Sequence, residues 1–211
     1  MPRPPRLLLS HSYYHVMTRG NNKHIIFRQQ EDYTYYLKLI AKYKAIHPFE
    51  LFHYCLMPNH THFLIQTKSA TDFAIFMKKL NLAYYHYFNN HYGWVGHFWQ
   101  GRYKSQPVGK DAYFIQCGKY IELNPSRSSL VSQAGNYRYS SYRHYLTGQK
   151  DKLLTEDPFY TEFGDSSQQR QTVYGNLLVS EAVTQSYKKR AWGGEKQIHN
   201  EKEKIRYHLR K

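Results

Sequence analysis

Residues Leu56 to Thr67 read LMPNHTHFLIQT. Pro58-Asn59 has the chemistry of a tight turn, and the residues on either side of it have the composition of two paired strands. The second of those strands carries His60 and His62 around a single residue. Side chains at i and i+2 of a strand share a face and stand about 6.5–7 Å apart along the chain. The two imidazoles can therefore converge on one ion, on one phosphate, or on nothing.

Working outward, Phe49–Met57 reads as the strand before the turn and His60–Thr67 as its antiparallel partner. Upstream, Ser10–Arg19 alternates loosely and reads as a first strand, with Gly20, Asn21 and Asn22 as turn residues. Between them EDYTYYLKLIAKYKAI places Tyr33, Tyr36, Leu37, Ile40 and Tyr43 at helical spacing. Downstream, a helix is expected from about Thr71 to Asn90, with Phe73, Phe76, Met77, Leu80 and Tyr84 on one face. HFWQGRYKSQPV reads as a fourth strand, and residues 110–123 as a further helix that Pro125 stops. The order β-α-β-β-α-β predicts an α+β fold of ferredoxin-like type. It is an antiparallel sheet with helices on one face, followed by a tyrosine-bearing helix and a C-terminal extension. Residues 1–148 are expected to form the principal domain. Residues 149–211 form the extension, partly helical, with a basic, charged tail from Trp192 that reads as loose or weakly helical.

The chain has 211 residues and a formal net charge of +15. Up to Lys110 it holds 14 basic and 4 acidic residues, so most of the excess lies in the body that carries the histidines. Such a field favours a polyanionic partner, and 22 tyrosines supply surfaces on which unpaired bases can stack. A ribosome-associated or simply basic protein would show the same composition. No apolar run approaches the 18 or so residues of a membrane span, and the three leucines near the start are too few for a signal peptide. Cys55 and Cys117 show no framework or CxxC spacing and read as reduced packing residues of a cytoplasmic protein.

In KYIELNP, Tyr120 and Asn124 are four residues apart and share a helical face. Should that face lie over the histidines, an amide oxygen and a phenol would enter the same space; otherwise Asn124 is an ordinary residue before a proline. Imidazoles alone would suit zinc or another late transition metal, whereas an added amide oxygen and water suit magnesium or manganese. Tyr113, two turns before Tyr120, is the alternative reactive tyrosine, and Tyr103 reads as a packing residue. Arg19, Lys23, Arg102 and Lys104 flank the elements near the histidines. Arg138 and Arg143 are interleaved with Tyr137, Tyr139, Tyr142 and Tyr145. The first four suit phosphate contacts and equally suit a solvated basic surface. The last two, with their tyrosines, read as a group that grips a hairpin or a flanking single strand, each aromatic taken alone being as well suited to the core.

Taken together, HVMTRGNN, CLMPNHTHFLIQT, FWQGRYKSQPV, YIELNP and YRYSSY resemble the HUH-type single-strand DNA transposases with one catalytic tyrosine. The likeness is to the REP-associated tyrosine transposases among them, and it covers roughly Tyr13 to Tyr145. Thr61 departs from the usual hydrophobic middle of the HUH motif and leaves both histidines intact. The resemblance implies that His60, His62 and Asn124 hold Mg2+ or Mn2+ and that Tyr120 is the nucleophile. It further implies that the partner is single-stranded or hairpin DNA, cleaved through a 5′-phosphotyrosine link, and that the protein acts as a monomer near the nucleoid, although some relatives exchange the tyrosine helix in a dimer. The rival readings are a replication initiator or relaxase, a metallohydrolase, and a non-catalytic nucleic-acid-binding module.

Overall fold

The computed structural model describes residues 8–109 and 112–179; the tail from Trp192 lies outside them. Four strands, β1 (Tyr13–Arg19), β2 (Phe49–Met57), β3 (His60–Thr67) and β4 (Lys104–Pro107), form one antiparallel sheet in the order β2-β3-β1-β4. Helices α1 (Gln30–Ile46) and α2 (Ala70–Tyr92) supply the crossovers, which gives the ferredoxin-like arrangement expected from the sequence.

Each crossover helix is specified locally. At the start of α1, Gln29 and Asp32 form a reciprocal capping box. Ser69 caps α2 by accepting from the Asp72 amide, and Gly93, at φ 60°, ends it in the left-handed conformation that glycine adopts without strain. The expected face of α2 is buried in full, and Phe88 extends it by one more turn. These rings pack with Tyr33, Tyr36 and Ile40 of α1 against Tyr14, Val16, Phe63 and Ile65 of the sheet, forming the larger core.

Because strand side chains alternate, the opposite face carries His15, Met17, His60, His62 and Leu64. Helix α3 (Ala112–Arg127) covers it, burying Phe114, Cys117 and Ile121 against Phe52, Cys55, Met57 and Leu64. Both cysteines are free thiols in this second core.

Several boundaries differ from the sequence expectation. The first strand begins at Tyr13 rather than Ser10, since His11 takes a positive φ of 55°. Of the expected fourth strand, Lys104–Pro107 pairs continuously along β1, and Trp99 adds one isolated bridge to Gly20. Ahead of it Phe98 turns into the larger core, and Gly101, at φ 150°, breaks the run. Pro125 does not stop α3, which continues to Arg127. A proline in the final turn costs one amide donor, and the carbonyls of Asn124 and Pro125 still accept from the Ser128 and Leu130 amides.

The chain after α3 closes the open edge of β2. The Leu56 amide donates to Tyr139 and the Ser141 amide to Tyr54, so residues 139–141 add a short strand-like rung. Two helices follow, α4 (Tyr142–Thr147) and α5 (Ser167–Val179), and Tyr145, Tyr160, Tyr174 and Leu178 form a third, small core. The Thr155 amide donates to Leu51, and Lys44 donates to the Leu153 carbonyl. The described part of the C-terminal extension is thus tied to the sheet.

Candidate functional site

The β2–β3 turn is held from below by the loop after β1. The Ile26 and Phe27 amides donate to the Pro58 carbonyl, and the Gly20 amide donates to that of Asn59. Gly20 is needed for this approach, because a Cβ there would lie 2.6 Å from the His24 carbonyl oxygen. Asn59 donates its amide Nδ2 to the Lys23 carbonyl at 3.3 Å, which turns its Oδ1 toward His60 Nδ1 at 2.5 Å. An amide oxygen only accepts, so His60 carries its proton on Nδ1 and keeps the Nε2 lone pair free.

His62 is oriented from the neighbouring strand. Its Nδ1 shares a 2.8 Å hydrogen bond with His15 Nε2, a partner the sequence reading missed. With that nitrogen engaged, His62 Nε2 is buried and has no hydrogen-bond partner among the described residues. The His60 and His62 rings stand 4.8 Å apart, nearly perpendicular.

All three imidazoles are held neutral. Burial pushes His15 down to about 3. It also lowers His60 and His62 well below the usual histidine value, and the nearby Arg19 charge and the other imidazoles lower them further. Neutral rings are the form that binds a metal. Among the described residues, however, no group of three or more His, Cys, Asp or Glu is placed to hold one. A metal at this site would have to take a mixed set of donors, and the orphaned, buried Nε2 of His62 fits such a role.

Helix α3 brings Tyr120 to the histidines. Its ring lies 5.9 Å from that of His62 and 6.0 Å from that of His15. Asn124 lies one turn on, and its Nδ2 donates back to the Tyr120 carbonyl at 2.8 Å, leaving Oδ1 as its only ligating atom. None of its hydrogen bonds reaches the histidines. The Tyr113 hydroxyl accepts from Gln106 on β4 at 3.4 Å. Tyr103 is buried against Phe73, as its packing role requires.

The six cations separate into two places. Arg19 pairs with His60 across the β1–β3 ladder and shares its face, while Lys104 pairs with Met17 and lies on that same face. Lys23 supports Asn59 from the loop below, and Arg102 sits exposed in the turn before β4. Arg138 and Arg143 are elsewhere. They line a groove of about 530 Å³ with Tyr54, His144, Lys150 and Lys152, beside the closed edge of β2. Arg143 is tied there through its Nε to the Gly135 carbonyl.

Most of the tyrosines interleaved with those two arginines are packed into the fold. Tyr145 is fully buried and donates to the Phe52 carbonyl. Tyr137 donates to the Leu56 carbonyl. Tyr139 stacks on Tyr33 at 3.8 Å. Closing the β2 edge thus takes up the hydroxyls of Tyr137 and Tyr145 and the ring of Tyr139.

The fold thus sets Tyr120 of α3 one layer above the paired histidines of β3. Residues 9–124 match the family described as "Transposase IS200 like", a span that takes in His60, His62, Tyr120 and Asn124 and more than half of the chain. The chain belongs to the IS200-like transposase family, whose members cut and join DNA. Among solved structures it is similar to a REP-associated tyrosine transposase bound to a REP hairpin, at 18% identity and a TM-score of 0.60. The match covers 74% of this chain and 93% of that one and is a likeness of fold. None of the curated proteins matches the sequence. No helix among the described residues is long and apolar enough to cross a membrane.

Proposed function

We propose that the protein is a metal-dependent single-strand DNA endonuclease and strand transferase of the REP-associated kind, which binds a REP-type hairpin and cleaves the strand beside it through Tyr120. The observation that carries this reading is the approach of the Tyr120 ring to within 6.0 Å of both His15 and His62, all from one chain. Attack of the phenolic oxygen on phosphorus forms a 5′-phosphotyrosine link and breaks the bond to the 3′-oxygen, which leaves as a hydroxyl. The phosphodiester energy is kept in the protein–DNA bond, so a second 3′-hydroxyl can reverse the step and join a new strand.

His60 and His62 through Nε2, with Asn124 through Oδ1, are the donors offered to the ion. Two imidazoles with an amide oxygen and water suit Mn2+ or Mg2+. Such an ion, when bound, polarises the scissile phosphate and offsets the charge that builds up in the transition state. Arg19, Lys23, Arg102 and Lys104 form the strip of charge that guides the cleaved strand to the histidines. Arg138 and Arg143, with the lysines of their groove, meet the hairpin backbone at a second place. The catalytic unit is assigned to residues 1–148 and the extension to residues 149–211. Completeness of the site within one chain favours a monomer, working in the cytoplasm at the nucleoid.

The test is a hairpin DNA with a single-stranded flank, labelled at its 3′ end and incubated with Mn2+ or Mg2+. The expected result is a labelled protein–DNA band that survives denaturation and is lost with EDTA. Cleavage without that band would instead indicate a metallohydrolase, and hairpin binding without cleavage would indicate a binding module.

A further inference from the structure

The last residue of α3 is Arg127, three residues beyond Asn124 and seven beyond Tyr120. Positions i, i+4 and i+7 of a helix fall on one face, so Tyr120, Asn124 and Arg127 line the same side of α3. The contacts agree: the Arg127 guanidinium carbon lies 5.6 Å from the centroid of the Tyr120 ring.

The environment of Arg127 is unusual for an arginine. The side chain is partly buried, and its Nη1 is fully buried yet has no hydrogen-bond partner among the described residues. Arg127 forms no ion pair among those residues either. A guanidinium is a planar fork of five donors, suited to paired contacts with phosphate oxygens. Withdrawing one of its nitrogens from water without an acceptor costs free energy. Burial accordingly lowers the Arg127 pKa from its ordinary value, while the neighbouring Tyr120 opposes that effect. An acceptor arriving beside Tyr120 would satisfy the donor.

We propose that Arg127 is a catalytic residue that binds a non-bridging oxygen of the phosphate Tyr120 attacks. The inference rests on Tyr120 being the nucleophile. In the step it serves, the bond from the tyrosine oxygen to phosphorus forms and the bond from phosphorus to the 3′-oxygen breaks. The phenolic proton passes to water, and the departing 3′-oxygen takes a proton from water. Arg127 exchanges no proton. It holds the phosphate against the nucleophile and meets the negative charge that grows on the equatorial oxygens. A cation at a helix C-terminus, packed on an aromatic ring, has a purely structural use as well, and the experiment separates the two.

Arg127→Lys, Arg127→Gln and Arg127→Ala are compared with the wild type and Tyr120→Phe on two hairpin substrates. One carries the normal scissile phosphate and the other a neutral methylphosphonate in its place. Hairpin affinity and Tm are recorded for each protein. On the normal substrate Arg127→Gln and Arg127→Ala should cleave about 100-fold or more slowly at saturating DNA, in the range found when one transition-state donor is removed. Their hairpin affinity should change little, Arg127→Lys should retain part of the rate, and free guanidinium should restore part of it to Arg127→Ala. On the methylphosphonate the wild type and Arg127→Gln should differ by less than about threefold, because the charge that Arg127 meets is gone.

Equal loss on both substrates, no rescue by guanidinium, or a rate that falls only in step with Tm would overturn the assignment and leave Arg127 a structural residue. Tyr120→Phe keeps the two readings apart. Cleavage that persists in Tyr120→Phe removes the nucleophile and the Arg127 role together, whereas cleavage lost in Tyr120→Phe but intact in Arg127→Gln removes only the latter.

Discussion

His15 Nε2 and His62 Nδ1 lie 2.8 Å apart across the β1–β3 ladder, both rings buried. A partner on one ring nitrogen decides which way the other points, and His15 thereby aims His62 Nε2 into the site. Replacing His15 by Ala should weaken metal activation about 10–100-fold, the usual cost of losing such a support. The check is cleavage rate against Mn2+ concentration: the expected curve shifts to higher metal and hairpin binding is unchanged.

Two residues beyond Tyr120, Glu122 accepts from His53 at 2.9 Å, while Asp157 takes the other ring nitrogen at 3.0 Å. Burial alone would lower the His53 pKa, but the Glu122 charge and the hydrogen bonds to both carboxylates outweigh it and raise the value from 6.5 to about 9. A raised folded pKa means that the stabilisation is complete below pH 6.5 and is lost as pH rises through about 9. Tm should therefore fall over that window. His53→Gln should remove the slope and cost about 3–5 kcal/mol below it, as for a buried pair left with one partner. Thermal melts from pH 6 to 10 on both proteins test this.

Gly118 is where α3 comes up against His53 of β2. A Cβ there would stand 2.8 Å from His53 Nε2. Gly118→Ala should force the helix outward, costing roughly 1–3 kcal/mol by overpacking, and should displace Tyr120 with it. Cleavage is expected to fall more steeply than hairpin affinity. Parallel titration and rate measurements would show this, and an equal fall in both would speak against it.

Asp32 supplies a control away from the site. Its buried carboxylate accepts from the Arg28 and Gln29 amides and from the Tyr87 and Tyr92 hydroxyls. Asp32→Ala strands these donors and should destabilise the protein by about 3 kcal/mol or more. The cleavage rate per folded molecule should be unchanged, which denaturant melts paired with active-site titration would verify.

The β2–β3 hairpin and both crossover helices could be read from the sequence because each hides an apolar face whose period shows in the residue order. His15 could not be read in the same way. Its strand alternates only loosely, and the pairing that sets it against His62 is made 47 residues away. The signal that would have found it is parity, since His15 shares a strand face with Arg19. Arg127 escaped notice for a different reason. Pro125 reads as a stop, yet a proline in the last turn removes a single donor, and the helix carries Arg127 past it. The His53, Glu122 and Asp157 cluster draws on three distant segments and has no local pattern at all. Whether each tyrosine of the YRYSSY segment faces the core or the solvent could not be read, because composition shows an aromatic surface without showing what already lies against it.

Mapping the covalent adduct tests the central claim most directly. After reaction with a 3′-labelled hairpin, nuclease trimming and trypsin cleavage, Tyr120 leaves on the peptide YIELNPSR, whereas Tyr113 leaves on DAYFIQCGK. The expected result is a nucleotide phosphate on Tyr120 in YIELNPSR. Attachment to Tyr113 or any other tyrosine, or cleavage that leaves no modified peptide, would contradict the account.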